Sequence, residues 1–229
     1  MGALGCPAAA AAARAGVRRF TFVDPDRVEA SNLQRQTLFG QADIGGLKVE
    51  AAAARIDDIV PGCEVSPLVS RLQDLDPESL FASHGFVIDA TDDPATKLLI
   101  NRTAVATHTA YSYGGVMRLK GQTMTIVPGV SACLTCAFPA LECDPGSGSC
   151  ADMGILAPVA GVIGSLQGRA AGCALVCASA AEQGGRMIVY QVTPQRWTRI
   201  NFEQRPDCPT CAPAAGLQEY GRRLQPCLS

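Results

Sequence analysis

From residue 18 to residue 107 the sequence alternates short β-rich runs with helical ones, and two of the β-rich runs end on aspartate. RRFTFV (residues 18–23) stops at Asp24, and FVIDA (residues 86–90) runs into Thr91-Asp92-Asp93. Between them, LKVEAAAARIDDIV (residues 47–60) reads as a helix stopped at Pro61-Gly62, residues 64–69 alternate as a strand, and residues 77–83 suit a short helix. A further helix over 94–107 opens on Pro94, a good first-turn residue. Strand and helix in strict alternation predict an α/β fold with a parallel, doubly wound, Rossmann-like sheet. Ligands of such sheets sit at the carboxyl ends of the strands, where Asp24 and Asp92 both fall.

The chain opens MGALG and continues as CPAAAAAARAG, a helix that Gly16 can close. Gly2 and Gly5 therefore stand at a helix N-terminus, and an acidic residue follows about 20 residues on, at a strand's end. That is the layout of a dinucleotide-type βαβ unit. The glycines let a phosphate approach, the helix dipole favours its charge, and the carboxylate takes the ribose. Such a unit needs a strand before its glycines, and none precedes Gly2. The expectation is an N-terminal strand missing from this sequence, encoded some tens of residues upstream. The plainer alternative is that another segment takes its place.

The second half changes character. Residues 111–115 and 116–127 read as strands with Gly121 near a turn, and residues 157–180 as a long helix. Residues 186–192 and 197–202 read as a hairpin bending at Thr193-Pro194. This predicts an antiparallel region appended to the sheet, one domain over residues 1–211, and an unstructured tail over 212–229. The apolar stretch 155–181 is long enough for a membrane span, but Gln167 and Arg169 near its middle predict a buried helix. Lysines and arginines are scattered and the net charge is −2, which argues against nucleic-acid or anionic-membrane partners. The 11 cysteines are an odd number; they suit metal binding and thiol chemistry in a reducing cytoplasm better than a disulfide framework. Two CxxC pairs, Cys133/Cys136 and Cys208/Cys211, supply four thiolates for a closed tetrahedral zinc site. A closed site leaves no position for a substrate, so its expected task is structural.

The longest non-periodic connection is residues 23–48, VDPDRVEASNLQRQTLFGQADIGGLK. So long and polar a loop within a compact domain is usually functional. Its carboxylates, guanidinium and ammonium beside a Gly-rich turn suit a nucleoside triphosphate with its metal ion.

GALGCP, VDPDRVEASNLQRQ, the lysine of GGLK, DATDD, the paired CxxC motifs and ILAPVAGVIGSLQ resemble the ThiF/MoeB/HesA-type adenylyltransferases, which activate small sulfur-carrier proteins. The resemblance spans residues 2–211. It implies a homodimer, MgATP, and adenylation of the C-terminal glycine of a ubiquitin-like carrier ending in Gly-Gly, in molybdopterin- or thiamin-type sulfur transfer. Carried over by position, it implies that Asp24 binds the ribose hydroxyls. Asn32, Arg35 and Lys48 hold the triphosphate, and Asp92 ligates Mg²⁺. Gly2, Ala3, Asp26, Ser31, Leu33, Gln34 and Asp93 complete the nucleotide's surroundings. The attacking carboxylate is already ionised, so alignment and charge stabilisation suffice and no general base is required. Ala3 stands where many relatives have glycine. The relatives' N-terminal helix, whose arginine reaches the partner subunit's ATP, has no counterpart in these residues, and sulfur is expected from a separate protein.

Each assignment has a plainer reading. Asp24 can merely cap the following turn, Lys48 can be a solvated helix-start residue, Arg35 can pair with Asp26 or Asp43, and Asp92 can be the N-cap of the helix at Pro94. Cys150, in the Gly/Ser-rich loop, matches the family's loop cysteine and is a candidate nucleophile toward the acyl adenylate, with Cys143 able to substitute. Cys6, Cys63, Cys173 and Cys177 read as small core residues, and His84 and His108 as structural. Two rivals share the fold: a nicotinamide-dependent oxidoreductase, and a carrier-binding pseudoenzyme.

Overall fold

The computed structural model describes residues 1–143, 154–177 and 184–212. Cys150, the side chain of Cys143 and residues 213–229 of the tail expected to be unstructured lie outside the described residues.

Helix α1 (Gly5–Arg14) ends at Gly16, whose φ of +104° only glycine adopts readily. Strand β1 (Arg19–Val23) pairs in parallel with β2 (Glu64–Leu68), from Arg19 opposite Glu64 to Val23 opposite Leu68. Helix α2 (Lys48–Ile59) makes the crossover between them. Cys6, Ala9 and Ala13 of α1 join Phe22, Val49, Ala52 and Ile56 in one apolar cluster. Short α3 (Pro77–Ala82) is capped by Asp76, which accepts from the Ser79 amide. Strand β3 (Val87–Asp89) and α4 (Pro94–Ala106) follow. The antiparallel half comprises β4 (Tyr111–Met117), β5 (Lys120–Ile126), β6 (Arg186–Gln191) and β7 (Arg196–Asn201). Between β5 and β6 lie the single-turn helices α5 (Leu134–Ala137) and α6 (Ala140–Cys143) and the long α7 (Ala157–Val176).

Pairing is parallel in the first half and antiparallel in the appended region, as expected, but the described strands do not join in one sheet. The described strands form two sheets, β1-β2 and β3-β4-β5-β6-β7. In the larger, only β3 and β4 run parallel. The reason lies in the connections. A helix joins β3 to β4, whereas Arg118-Leu119 and a short turn join β4 to β5 and β6 to β7, and so tight a link permits only antiparallel pairing. The first of these turns also corrects the expected break after Gly115. Residues 111–117 are one strand, and the chain reverses at Arg118, at φ +53°.

Helices cover both faces of the larger sheet. Tyr111, Tyr113, Met124 and Ile126 pack with Phe81, Ile100 and the four cysteines of the CxxC pairs. On the other face, Val116, Ala110 and Val127 meet Ile163 and Ala171 of α7. Helix α7 is long and apolar enough to cross a membrane, but it lies across the sheet and under α1. Its Gln167, fully buried, donates to Asp89 O at 2.7 Å and Ser112 O at 3.1 Å. Contact between α1 and α7 is backbone-close: a Cβ on Gly168 would lie 2.3 Å from Ala8 O, and one on Gly164 2.4 Å from Leu4 O. Cys6 is buried as expected, whereas Cys63 and Cys173 are half-buried and Cys177 is exposed. Cys63 sits in the turn before β2, at the margin of the cluster around Phe22, and Cys177 just beyond the end of α7, where it is uncovered.

Candidate functional site

The carboxyl ends of β1 and β3 open into one cavity of about 1290 Å³. No side chain caps α1, and residues Met1, Gly2, Ala3, Leu4 and Gly5 line the cavity, so the positive end of the helix faces into it. Asp24 follows β1 directly. One carboxylate oxygen accepts from the Asp26 amide at 2.9 Å, and the other is paired with the Met1 ammonium. The turn-capping reading of Asp24 is therefore also met.

The loop after β1 is folded back on itself. The Val28 amide donates to Gly46 O and the Gly45 amide to Val28 O, both at 2.8 Å, and Arg27 Nη1 donates to Gly45 O at 2.7 Å. Gly45, at φ +86°, makes the turn that this pairing needs. The fold-back delivers Lys48 to the cavity as a buried residue, not a solvated one. Its Nζ lies 2.7 Å from Asp26 Oδ2, and its amide donates to Asp26 O. Asp26 is 62% exposed, so the pair is worth about 0–1 kcal/mol and an anionic ligand can displace it cheaply.

The 3₁₀ turn Ala30–Asn32 buries Asn32, whose Oδ1 receives the Glu29 amide at 3.4 Å. Arg35 pairs with neither Asp26 nor Asp43. Its Nη1 donates to Ser31 O at 3.0 Å, which holds the guanidinium beside the cavity. Across the mouth stand Asp92 and Asp93. Asp93, not Asp92, caps α4: its Oδ2 accepts from the Thr96 amide at 2.8 Å and the Thr96 hydroxyl at 2.6 Å. The Thr96 hydroxyl above all holds the Asp93 carboxyl below its ordinary range. Asp92 is exposed at the cavity rim and has no part in the cap.

Of the residues expected around a nucleotide, Gly2, Ala3, Asp24, Asp26, Asn32, Gln34, Arg35, Lys48, Asp92 and Asp93 line this cavity together. Ser31 and Leu33 do not. Ser31 turns outward and donates to Glu29 at 3.1 Å, and Leu33 packs on the Phe22 cluster.

Two lining residues escaped sequence reasoning. Lys97 is buried, with Nζ 3.1–3.2 Å from both Asp89 oxygens, 2.7 Å from Gly114 O and 5.0 Å from the Tyr113 ring centroid. Asp89 is fully buried. The signal was a lysine inside the apolar helical run TKLLI, where burial demands a partner. Gln36 is also buried, and its Oε1 has no hydrogen-bond partner among the described residues. His84 is structural, as expected. Its Nδ1–H donates to Leu80 O at 2.7 Å and Nε2 accepts from the Thr21 hydroxyl at 2.8 Å.

The four CxxC cysteines lie apart from this cavity, buried, with all Sγ atoms within 4.8 Å of one another. Cys133–Cys208 and Cys136–Cys211 are 3.6 and 3.4 Å apart. Zn–S bonds near 2.3 Å place tetrahedral sulfurs about 3.8 Å apart, so the group can close on zinc. The Arg205 amide donates to Cys136 Sγ at 3.4 Å, and the Cys133 thiol draws Cys211 down to about 5, favouring a thiolate.

A profile of the ThiF family matches residues 1–210. The SAMP-activating enzyme E1 of Haloferax volcanii is 32% identical over 211 residues, covering 92% of this chain and 77% of that protein. The molybdopterin-synthase adenylyltransferase of Escherichia coli is 31% identical, covering 92% and 84%. Escherichia coli MccB, solved with ATP, shares the fold at a TM-score of 0.77 and 20% identity; the chain spans 92% of itself and 64% of MccB. A match along nearly its whole length, on relatives above thirty per cent identity, means that this chain belongs to the ThiF family.

Proposed function

We propose that this protein uses ATP to adenylate the C-terminal glycine of a ubiquitin-like sulfur carrier ending in Gly-Gly. The observation that carries the reading is the convergence of the α1 start, Asp24, Arg35, Lys48 and Asp92 on the mouth of one cavity, in a chain similar to named adenylyltransferases. Asp24 binds the ribose hydroxyls, and the start of α1, with Gly2 and Ala3, faces the phosphates. Lys48 leaves Asp26 for the triphosphate, and Arg35, Asn32 and Gln34 complete the contact. The carrier's carboxylate forms a bond to the α-phosphorus as the bond to the β-phosphate oxygen breaks, and pyrophosphate departs. The carboxylate is ionised at neutral pH, so the enzyme's part is alignment and neutralisation of the charge that shifts toward pyrophosphate.

Asp92, whose carboxylate the α4 cap does not use, would hold Mg²⁺, which supplies charge neutralisation on the phosphates. The CxxC cysteines would hold a structural zinc ion. Cys150 is the proposed acceptor of the acyl group, forming a thioester with loss of AMP. We place the enzyme in the cytoplasm as a homodimer, serving a molybdopterin- or thiamin-type carrier; relatives named molybdopterin-synthase adenylyltransferase support the former. A nicotinamide-dependent reaction would leave the Lys48–Arg35 pair of cations without a task.

The test is carrier-dependent ATP–pyrophosphate exchange, with carriers that end in Gly-Gly and with Asp92→Ala as the dead control. Exchange that needs both the terminal glycine and Asp92 supports the reading. Carrier binding with no exchange overturns it in favour of a non-catalytic binding role.

A further inference from the structure

The Asp89–Lys97 pair does more than neutralise two buried charges. Strand β3 ends on Asp89, and the chain then runs through Ala90, Thr91 and Asp92 along the cavity before α4 begins. The Asp89 carboxylate turns toward this segment. Its Oδ1 accepts from the Thr91 amide at 3.0 Å and the Thr91 hydroxyl at 2.7 Å, and the same oxygen takes one of the two contacts from Lys97 Nζ. Ionised, the carboxylate is acceptor-only, as three donor groups facing it require. Its surroundings are fixed in turn: Lys97 Nζ donates to Gly114 O of β4, and the Asp89 carbonyl accepts from Gln167 of α7. Thr91 is thereby tied to two strands and a helix through one side chain. A buried ion pair is often no more stabilising than apolar side chains of the same volume, so what this one contributes is geometry.

Asp92 follows directly. It is exposed and makes no side-chain hydrogen bond among the described residues, while its neighbour Asp93 is turned into the α4 cap. A lone exposed carboxylate holds a cation well only if its backbone is already in place, because ordering a loop on binding weakens the complex. We propose that Thr91 is a positioning residue. Tied to Asp89 and Lys97, it sets the direction in which the Asp92 carboxylate meets the cavity, so that Asp92 is preorganised for the divalent cation of a metal–nucleotide complex. A cation bound through few protein carboxylates and the nucleotide's own phosphates depends most on such placement. The inference rests on the reading of Asp92 as the Mg²⁺ ligand and adds the residues that place it.

The experiment uses the full chain with Mn²⁺ as the probe, read by electron paramagnetic resonance in the presence of a non-hydrolysable ATP analogue. Thr91→Val keeps the side chain's shape and removes the hydroxyl donor, and Thr91→Ser restores the donor. Thr91→Val is expected to weaken Mn²⁺ binding by about ten-fold, and Thr91→Ser to stay within about two-fold of the unsubstituted protein. Binding of the analogue without metal should be unchanged in both variants, and Tm should fall by no more than about 2–4 °C in Thr91→Val. A merely structural hydroxyl would move Tm and leave the cation alone. Mn²⁺ affinity unchanged by Thr91→Val therefore overturns the inference, as does an equal loss in Thr91→Ser. Asp92→Ala keeps the two readings apart. If that variant binds Mn²⁺ normally, Asp92 is not the ligand and both fall; loss in Asp92→Ala with none in Thr91→Val strikes the inference alone.

Discussion

Two lysines face the same cavity under opposite constraints. Lys48 is paired with an exposed carboxylate, whereas Lys97 is held by buried Asp89 and a strand carbonyl. Replacing Lys48 with methionine strands no buried charge, so Tm should hardly move while ATP–pyrophosphate exchange falls by about 10²–10³. Lys97→Met leaves the Asp89 charge buried without its partner and should cost about 3–5 kcal/mol in urea unfolding. The neighbouring aspartates divide in the same way. Asp93→Ala removes the α4 cap, about 1 kcal/mol of stability, and should leave exchange largely intact; Asp92→Ala should reverse both effects. The folded Asp93 carboxyl lies below its unfolded value. The cap's contribution is therefore full above about pH 4 and lost as pH falls through the folded value, and acid unfolding of Asp93→Ala should lack that component.

At the scale of elements, most of the first half was legible. Alanine-rich helices, proline starts and aspartate ends are local signals, and α1, α2, α4, β1 and β2 appear within a residue or two of where they were expected. The antiparallel half was harder because its glycines misled. Gly114, Gly115 and Gly121 look like turn residues but lie inside strands, where side chains occupy the space a Cβ would need. Gln167 Oε1 would be 2.5 Å from a Cβ on Gly114, and Ile163 Cγ1 2.4 Å from one on Gly121. The true turn, at Arg118, carries no glycine at all. That Lys97 needed a partner was legible, but that the partner is Asp89 was not: only the folded chain brings β3, α4 and β4 together. Packing of α1 on α7 depends on the same kind of close approach. Gly168→Ala should push the helices apart and cost about 1–3 kcal/mol, read as a lower urea midpoint. A matching alanine at Gly161, where a Cβ meets nothing within 4 Å, should be neutral or slightly stabilising.

For the whole molecule, the four cysteines are what ties the last described residues to the body. Cys133 caps α5 and Cys136 lies within it, after β5, while Cys208 and Cys211 follow β7, and beyond the sulfurs the two segments meet at Thr135 and Thr210, 3.0 Å apart. Beside them, Asn101 donates to Thr135 and accepts from Tyr111 and from the Leu134 amide, so α4 and β4 are part of the same clasp. Four thiols packed this closely have few donors and much mutual repulsion once ionised, and a divalent ion resolves both. The purified protein should therefore carry one zinc ion per chain by elemental analysis, and Cys211→Ser should carry less. Strong chelation should remove a clasp worth about 4 kcal/mol, lowering Tm by about 8–16 °C for a chain of this size. None of the four cysteines lines the cavity at the start of α1, so, on the proposed function, zinc-free protein kept well below its new Tm should retain its KM for ATP. A chelated protein that keeps its Tm but loses exchange would move the metal from the clasp to the reaction.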